Sequence, residues 1–153
     1  MSGDPAPAPN VVQAVPILPV WNIGRSMQYY TEGVGFTKTV EWTKDGRLHW
    51  CRLQHGEAAL MLKQIEHAGH PAWISRRKVA DGVGICFLCT DALAVYREVI
   101  SRGIEASKPF VGHGNWVTYL TDPDGFGISF ESRTEVREGT EYSEDGFPGN
   151  GVP

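Results

Sequence analysis

The stretch Leu120-Thr121-Asp122-Pro123-Asp124-Gly125, running into the strand candidate Phe126–Glu131, decides the reading of this chain. By itself the Asp-Pro-Asp-Gly tetrapeptide is only a turn, with proline pre-setting the backbone and glycine permitting it to reverse. Its meaning comes from what precedes it. Working back, Asn115–Leu120 and Ile104–Phe110 read as strands, and Gly103 closes a helix over Ala92–Ser101 whose N-cap is Asp91. Val83–Cys89 before it is an apolar strand, so the order is βαβββ.

The first half follows the same order. Val11–Val20 is apolar and β-branched, and Pro16 and Pro19 suit a bent strand at a sheet edge or rim. Asn22 precedes a short helix over Gly24–Glu32 with Met27, Tyr29 and Tyr30 on one face, which Gly33 and Gly35 stop. Strands follow around Thr37–Trp42, Leu48–Leu53 and Ala58–Lys63, with turns at Asp45-Gly46 and His55-Gly56. Asn22 and Asp91 lie 69 residues apart, Gly35 and Gly103 68, and Met61 and Ser129 68, an offset that chance rarely preserves. The chain therefore reads as an α+β domain over residues 11–132, made of two βαβββ modules at about 11–65 and 82–132. A polar linker, Glu66–Asp81, joins them. A Pro/Ala-rich arm over 1–10 is expected to be flexible, and an acidic Gly/Pro-rich tail over 133–153 to be loosely held or to lie across a partner subunit.

Composition bounds the function. At 153 residues, 41% hydrophobic and 21% charged, the chain is long enough for one domain with a real core. It has no apolar run of the roughly 18 residues that a membrane helix needs. The net charge of -4 is carried by the six acids from Glu131 to Asp145 against Arg133 and Arg137, so the body is formally neutral. There is no basic stripe of the kind nucleic acid requires, and Arg76-Arg77-Lys78 reads as a solvated loop. Cys51, Cys86 and Cys89 are an odd set without a disulfide framework, and the start lacks a secretory signal; both point to a reducing cytoplasm, with neither membrane nor nucleic acid as a partner.

With this frame the sequence resembles the glyoxalase, bleomycin-resistance and extradiol-dioxygenase superfamily, the vicinal oxygen chelate proteins, over Val15 to about Glu131. In the first half the carriers are Val15-Pro16-Ile17-Leu18-Pro19-Val20-Trp21-Asn22, Ser26–Tyr30, Gly33–Phe36 and Gly56–Leu62; in the second they are Phe87–Asp91 and Leu120–Gly125 leading into Ile128–Glu131. The resemblance implies that each module bends its sheet into a half-barrel with the helices outside and a small-molecule pocket inside. It also implies a homodimer in which halves of two chains build each pocket.

Metal-using members of that superfamily place ligands on the first and last strand of each module. By register those positions are Val15, Met61, Gly84 and Ser129, and none supplies the imidazole or carboxylate that a divalent ion needs. No metal or other cofactor is expected. A slip of one residue brings no ligand either, and the nearest ionisable groups, Lys63 and Glu131, are two residues away on the same strand faces. Strand parity places Ile17, Pro19, Ala59, Met61, Cys86 and Leu88 on these faces, and Trp50, Trp73 and Trp116 are the expected aromatic walls. The expected ligand-binding set is Ile17, Trp50, Met61, Trp73, Cys86, Leu88, Trp116, Ser129 and Glu131, with no catalytic residue.

Other motifs weigh less. His67-Ala-Gly-His70 lies in the linker, where an exposed loop is the simpler reading, and Cys86-Phe-Leu-Cys89 falls within a strand, which puts the two thiols on opposite faces. His113, between Gly112 and Gly114, is either a mobile lip or a plain flexible loop. The expected function is metal-free capture of an aromatic or glycopeptide-like compound, an antibiotic among them, by a cytoplasmic dimer. A lyase, isomerase or dioxygenase-type enzyme of the same superfamily is the alternative, and a dimeric interaction module the third reading.

Overall fold

In the computed structural model each half of the chain builds an open four-stranded sheet, with its strands in the order first, fourth, third, second. The structure describes Gly3, Pro5, Ala6, residues 10–66, Ala80 and residues 82–145. In the first module β1 (Ile17–Val20) runs parallel to β4 (Ala58–Gln64), and β3 (Arg47–His55) and β2 (Thr37–Lys44) continue the sheet antiparallel. In the second, β5 (Gly84–Leu88) runs parallel to β8 (Gly127–Arg133), followed by β7 (Asn115–Thr121) and β6 (Phe110–Gly112). Ile17 sits opposite Met61 and Cys86 opposite Ser129, so the duplication seen in the sequence returns as one register used twice. The fold is α+β, two βαβββ half-barrel modules. Pro16 and Pro19 fall where a missing N–H costs least, on or beside the edge strand β1.

One helix covers each sheet. Asn22 Oδ1 accepts the Arg25 N–H at 3.0 Å and starts α1 (Ile23–Gln28); Asp91 Oδ1 accepts the Ala94 N–H at 2.9 Å and starts α2 (Ala92–Ser101). The first helix does not stop at Gly33. It widens into a π turn over Tyr29–Val34 and ends at Gly35, whose φ of 98° is the left-handed conformation that glycine adopts freely. Gly33 serves another end: a Cβ there would stand 2.7 Å from Ile104 Cδ1, so its bare backbone lets the two modules close on each other.

The strand expected over Ile104–Phe110 is a correction. Only Phe110–Gly112 forms β6; before it, Pro109 has no N–H to give a ladder, and the backbone bond from the approach to β7 is Ser107 N–H to the Tyr119 carbonyl. The outer edge of β6 is taken by the tail. Val111 N–H donates to the Thr140 carbonyl at 2.8 Å, Gly139 N–H to Val111 at 2.9 Å and Tyr142 N–H to Pro109 at 2.8 Å. Val136 and Tyr142 pack on Ala92, Leu93, Val111 and Trp116, so this part of the tail is docked on its own module and is not loose. Residues 146–153 and most of the arm lie outside the described residues.

The larger core is shared by both halves. Leu18, Val20, Leu53, Leu60 and Leu62 of the first sheet join Leu120, Ile128 and Phe130 of the second, and the Phe36 and Phe87 rings meet edge to face at 5.4 Å across the seam. The Asp-Pro-Asp-Gly turn locks this seam. Asp122 accepts the N–H groups of Asp124 and Phe126 at 2.9 and 2.8 Å and the Tyr30 hydroxyl at 2.8 Å; Asp124 accepts the Ser26 hydroxyl at 3.0 Å and the Trp21 N–H at 3.3 Å. A turn of the second module thus holds the helix of the first. Burial, opposed by these hydrogen bonds, raises Asp122 above its ordinary 3.8. Burial and the Asp122 charge push Tyr30 far up and Tyr29 up to about 12.

Candidate functional site

The helices and core occupy one face of each sheet, and the other face is more exposed, although Pro19 and Ala59 on that side of the first sheet are buried. On the first sheet, cross-strand pairing arranges that open face in two rows. One row runs Pro19, Lys63, Trp50, Trp42, and the next Ile17, Met61, Arg52, Val40. Neighbours in a row stand about 5 Å apart and the rows about 7 Å apart, so the face is a continuous platform roughly the size of a fused-ring compound. Ile17 and Trp42 are each 53% exposed and Val40 48%, the last two on β2, which is exposed along its whole length.

The second sheet repeats the layout with different chemistry. Cys86 pairs with Ser129 and Tyr119 with Ser129 across β8; Leu88 and Val117 flank Glu131 in the same way. Leu88 is 82% exposed, Tyr119 44%, and the Ser129 hydroxyl donates to Glu131 Oε1 at 3.1 Å. Partial burial raises the Cys86 thiol, with its bond to Ser129 opposing and Glu131 reinforcing.

Of the residues named from the sequence, Ile17, Trp50 and Met61 therefore come together on the first open face, and Cys86, Leu88, Ser129 and Glu131 on the second. Trp116 is not with them. It points to the core side of β7, 5% exposed, against Ala92, Leu93 and Val111, because Thr118, Leu120 and Trp116 share the parity that faces α2. Trp73, like His67 and His70, lies outside the described residues. Arg52, Trp42 and Tyr119 share these faces and were not in the expected ligand-binding set. The β2–β3 hairpin register was the signal that would have found the first two: Trp50 on the open face puts Arg52 beside it and Trp42 across from it.

His113 is neither lip nor slack loop. It and Gly114, with φ of 53° and 75°, form the two-residue turn between β6 and β7, and both N–H groups donate to the Glu138 carboxylate at 2.7 and 3.2 Å. These bonds hold Glu138 below its ordinary 4.5.

The donor set does not fit a divalent ion. The residues paired with Met61 and Ser129 are Ile17 and Cys86, not the Val15 and Gly84 expected from the sequence: Val15 precedes β1 and Gly84 pairs with Gly127; among the described residues no three His, Cys, Asp or Glu side chains converge. The three cysteines are free thiols. Depressions among the described residues lie elsewhere. One, of about 760 Å³, lies between the β2–β3 turn and Gln64–Glu66, where His49 Nδ1 is 2.8 Å from Glu66 Oε1; another, of about 310 Å³, lies at the seam beside Arg25, Tyr29 and Arg102. Neither includes a residue named above as ligand-binding. Among the described residues no helix is long and apolar enough to cross a membrane.

Solved structures share this architecture. A bleomycin-binding protein in complex with bleomycin is 23% identical, with a TM-score of 0.60 over 81% of this chain and 100% of that one. The bleomycin-binding protein of bleomycin-producing Streptomyces verticillus, with copper(II)-bleomycin, is 18% identical, with a TM-score of 0.62 over 82% and 98%. TioX from Micromonospora sp. ML1 is 14% identical, with a TM-score of 0.62 over 80% and 100%. At these identities the likeness is one of fold. No curated protein matches the chain in sequence. The family model of the Glyoxalase/Bleomycin resistance protein/Dioxygenase superfamily matches residues 11–130, nearly the whole of both modules, and the chain belongs to that superfamily.

Proposed function

We propose that this protein captures an aromatic or glycopeptide-like small molecule without catalysis, between the open face of one sheet and an opposing sheet supplied by a second copy. The observation that carries the reading is the pair of open faces. On the paired first and last strands of the two modules this chain has Ile17 with Met61 and Cys86 with Ser129, near exposed Trp42, Leu88 and Tyr119. Apolar and aromatic surface of this kind binds flat molecules by burial and stacking. Covering the faces with a second copy both removes the exposed apolar area and creates two equivalent pockets. The thiols, free and without a disulfide, suit a reducing cytoplasm.

The test is a titration of the purified protein with glycopeptide and planar aromatic antibiotics, read by tryptophan fluorescence and by sedimentation. Quenching by one compound class at one site per protomer of a dimer is the expected result. Silence throughout, or turnover of a compound on addition of a divalent metal, overturns the reading.

A further inference from the structure

We propose that Arg52, supported by Lys63, gives the first open face its specificity: the ligand is a planar aromatic compound bearing an anionic group, such as a carboxylate, beside its ring. This rests on the reading of that face as a ligand platform. Arg52 stands in the centre of the platform, between Met61 on β4 and Val40 on β2, with Trp50 next along its own strand face. Its Nε is buried and has no hydrogen-bond partner, while one terminal nitrogen donates to Gln13 Oε1 at 3.3 Å. Gln13 in turn donates to the Glu57 carbonyl at 3.4 Å, so the chain before β1 steadies the head of Arg52 without neutralising it.

Among the described residues, neither Arg52 nor Lys63 has a carboxylate partner. The acids nearest in register do not reach them. Glu41 pairs with Cys51, on the core side, and is bound to Lys38; Glu66 is bound to His49; Glu131 accepts from Ser129 on the other sheet. The charge of Arg52 stands on an apolar floor with only the neutral Gln13 amide beside its head, so an anion reaching its terminal nitrogens would be favoured. A planar carboxylate matches the guanidinium fork, and the ring attached to it falls over the neighbouring row, where Trp50 and Trp42 lie side by side and Lys63 adds a second cation.

Three probes of one shape test this: 2-naphthoate, 2-naphthylmethanol and 2-naphthylmethylammonium, titrated into the full-length protein by calorimetry. The expected order is naphthoate first, tighter than the alcohol by roughly ten- to hundredfold, with the ammonium weakest. In Arg52→Met the ratio of naphthoate to alcohol collapses toward one, in Lys63→Met it falls partway, and in Arg47→Met, at the hairpin end, it stays. The exposed Lys63 keeps the test open if Arg52→Met fails to fold. A platform that binds the alcohol but shows no preference for naphthoate overturns the charge assignment and leaves the capture reading standing. Preference for the ammonium likewise overturns the charge assignment and leaves the capture reading standing. Failure of all three probes to bind overturns both.

Discussion

The two modules share a register and differ in nearly everything placed on it. Ile17 opposite Met61 corresponds to Cys86 opposite Ser129, yet the first open face carries two tryptophans and two cations and the second carries a thiol, hydroxyls and a carboxylate. Their turns differ as well. The last turn of the second module spends two aspartates on holding α1, whereas the matching turn of the first, His55-Gly56, offers only the His55 ring against Phe36 at 5.4 Å. Duplication fixes the scaffold; the seam and the site come from what each copy has since placed on it.

Breaking the aspartate lock is the severest test of that asymmetry. Asp122→Ala leaves the buried Tyr30 hydroxyl and two N–H groups without an acceptor and is expected to lower unfolding free energy by about 3 kcal/mol in urea titrations. The matching change in the first module, His55→Ala, is expected to cost about 1 kcal/mol or less. Gly33→Ala forces its methyl group onto Ile104 and is expected to cost about 1–2 kcal/mol, since the neighbour has to move across the seam. Tyr30→Phe removes one hydrogen bond and is expected to cost about 1 kcal/mol.

The lock also has a pH signature. Asp122 has a higher pKa folded than unfolded, so the native state binds its proton more tightly; this contribution is fully present below 3.8 and is lost as pH rises through the native value. Urea titrations across that window are expected to show the wild type losing stability relative to Asp122→Asn as pH rises. Tyr30→Phe removes a bond that lowers Asp122 and should carry the slope to higher pH. The smallest effect belongs to Glu138→Gln. Its folded pKa is depressed, so its contribution is present above 4.5 and fades as pH falls through the lowered native value; thermal melts of the two proteins are expected to converge there.

How much of this was legible in the sequence varies by level. The α2 boundaries at Ala92 and Ser101, the N-caps Asn22 and Asp91 and the edge position of Pro19 were readable, because caps, periodicity and proline act locally. Gly33 was misread as a stop since its reason lies 71 positions away, in Ile104. The strand over Ile104–Phe110 was overcalled because apolar residues there pack without pairing. Parity put Met61 and Ser129 on the strand faces away from the core, where the register has them, but Trp116 sits on the face that α2 covers, and the surroundings of Arg52 were not readable because they are set by a hairpin with two register shifts, at Lys38/Val40 and Trp42/Thr43.

Those same irregularities matter for β2. All eight of its residues are exposed and it ends its sheet, whereas β6 is sheathed by residues 139–142. An uncovered border strand offers its backbone to any passing copy, and this one carries a bulge at Thr39, pairs irregularly with β3 at His49, and has Lys38 and Lys44 near its ends. Smoothing the irregular pairing or replacing both lysines with threonine is expected to expose a regular sheet border to lateral pairing between copies, which light scattering of the variant against the wild type would register.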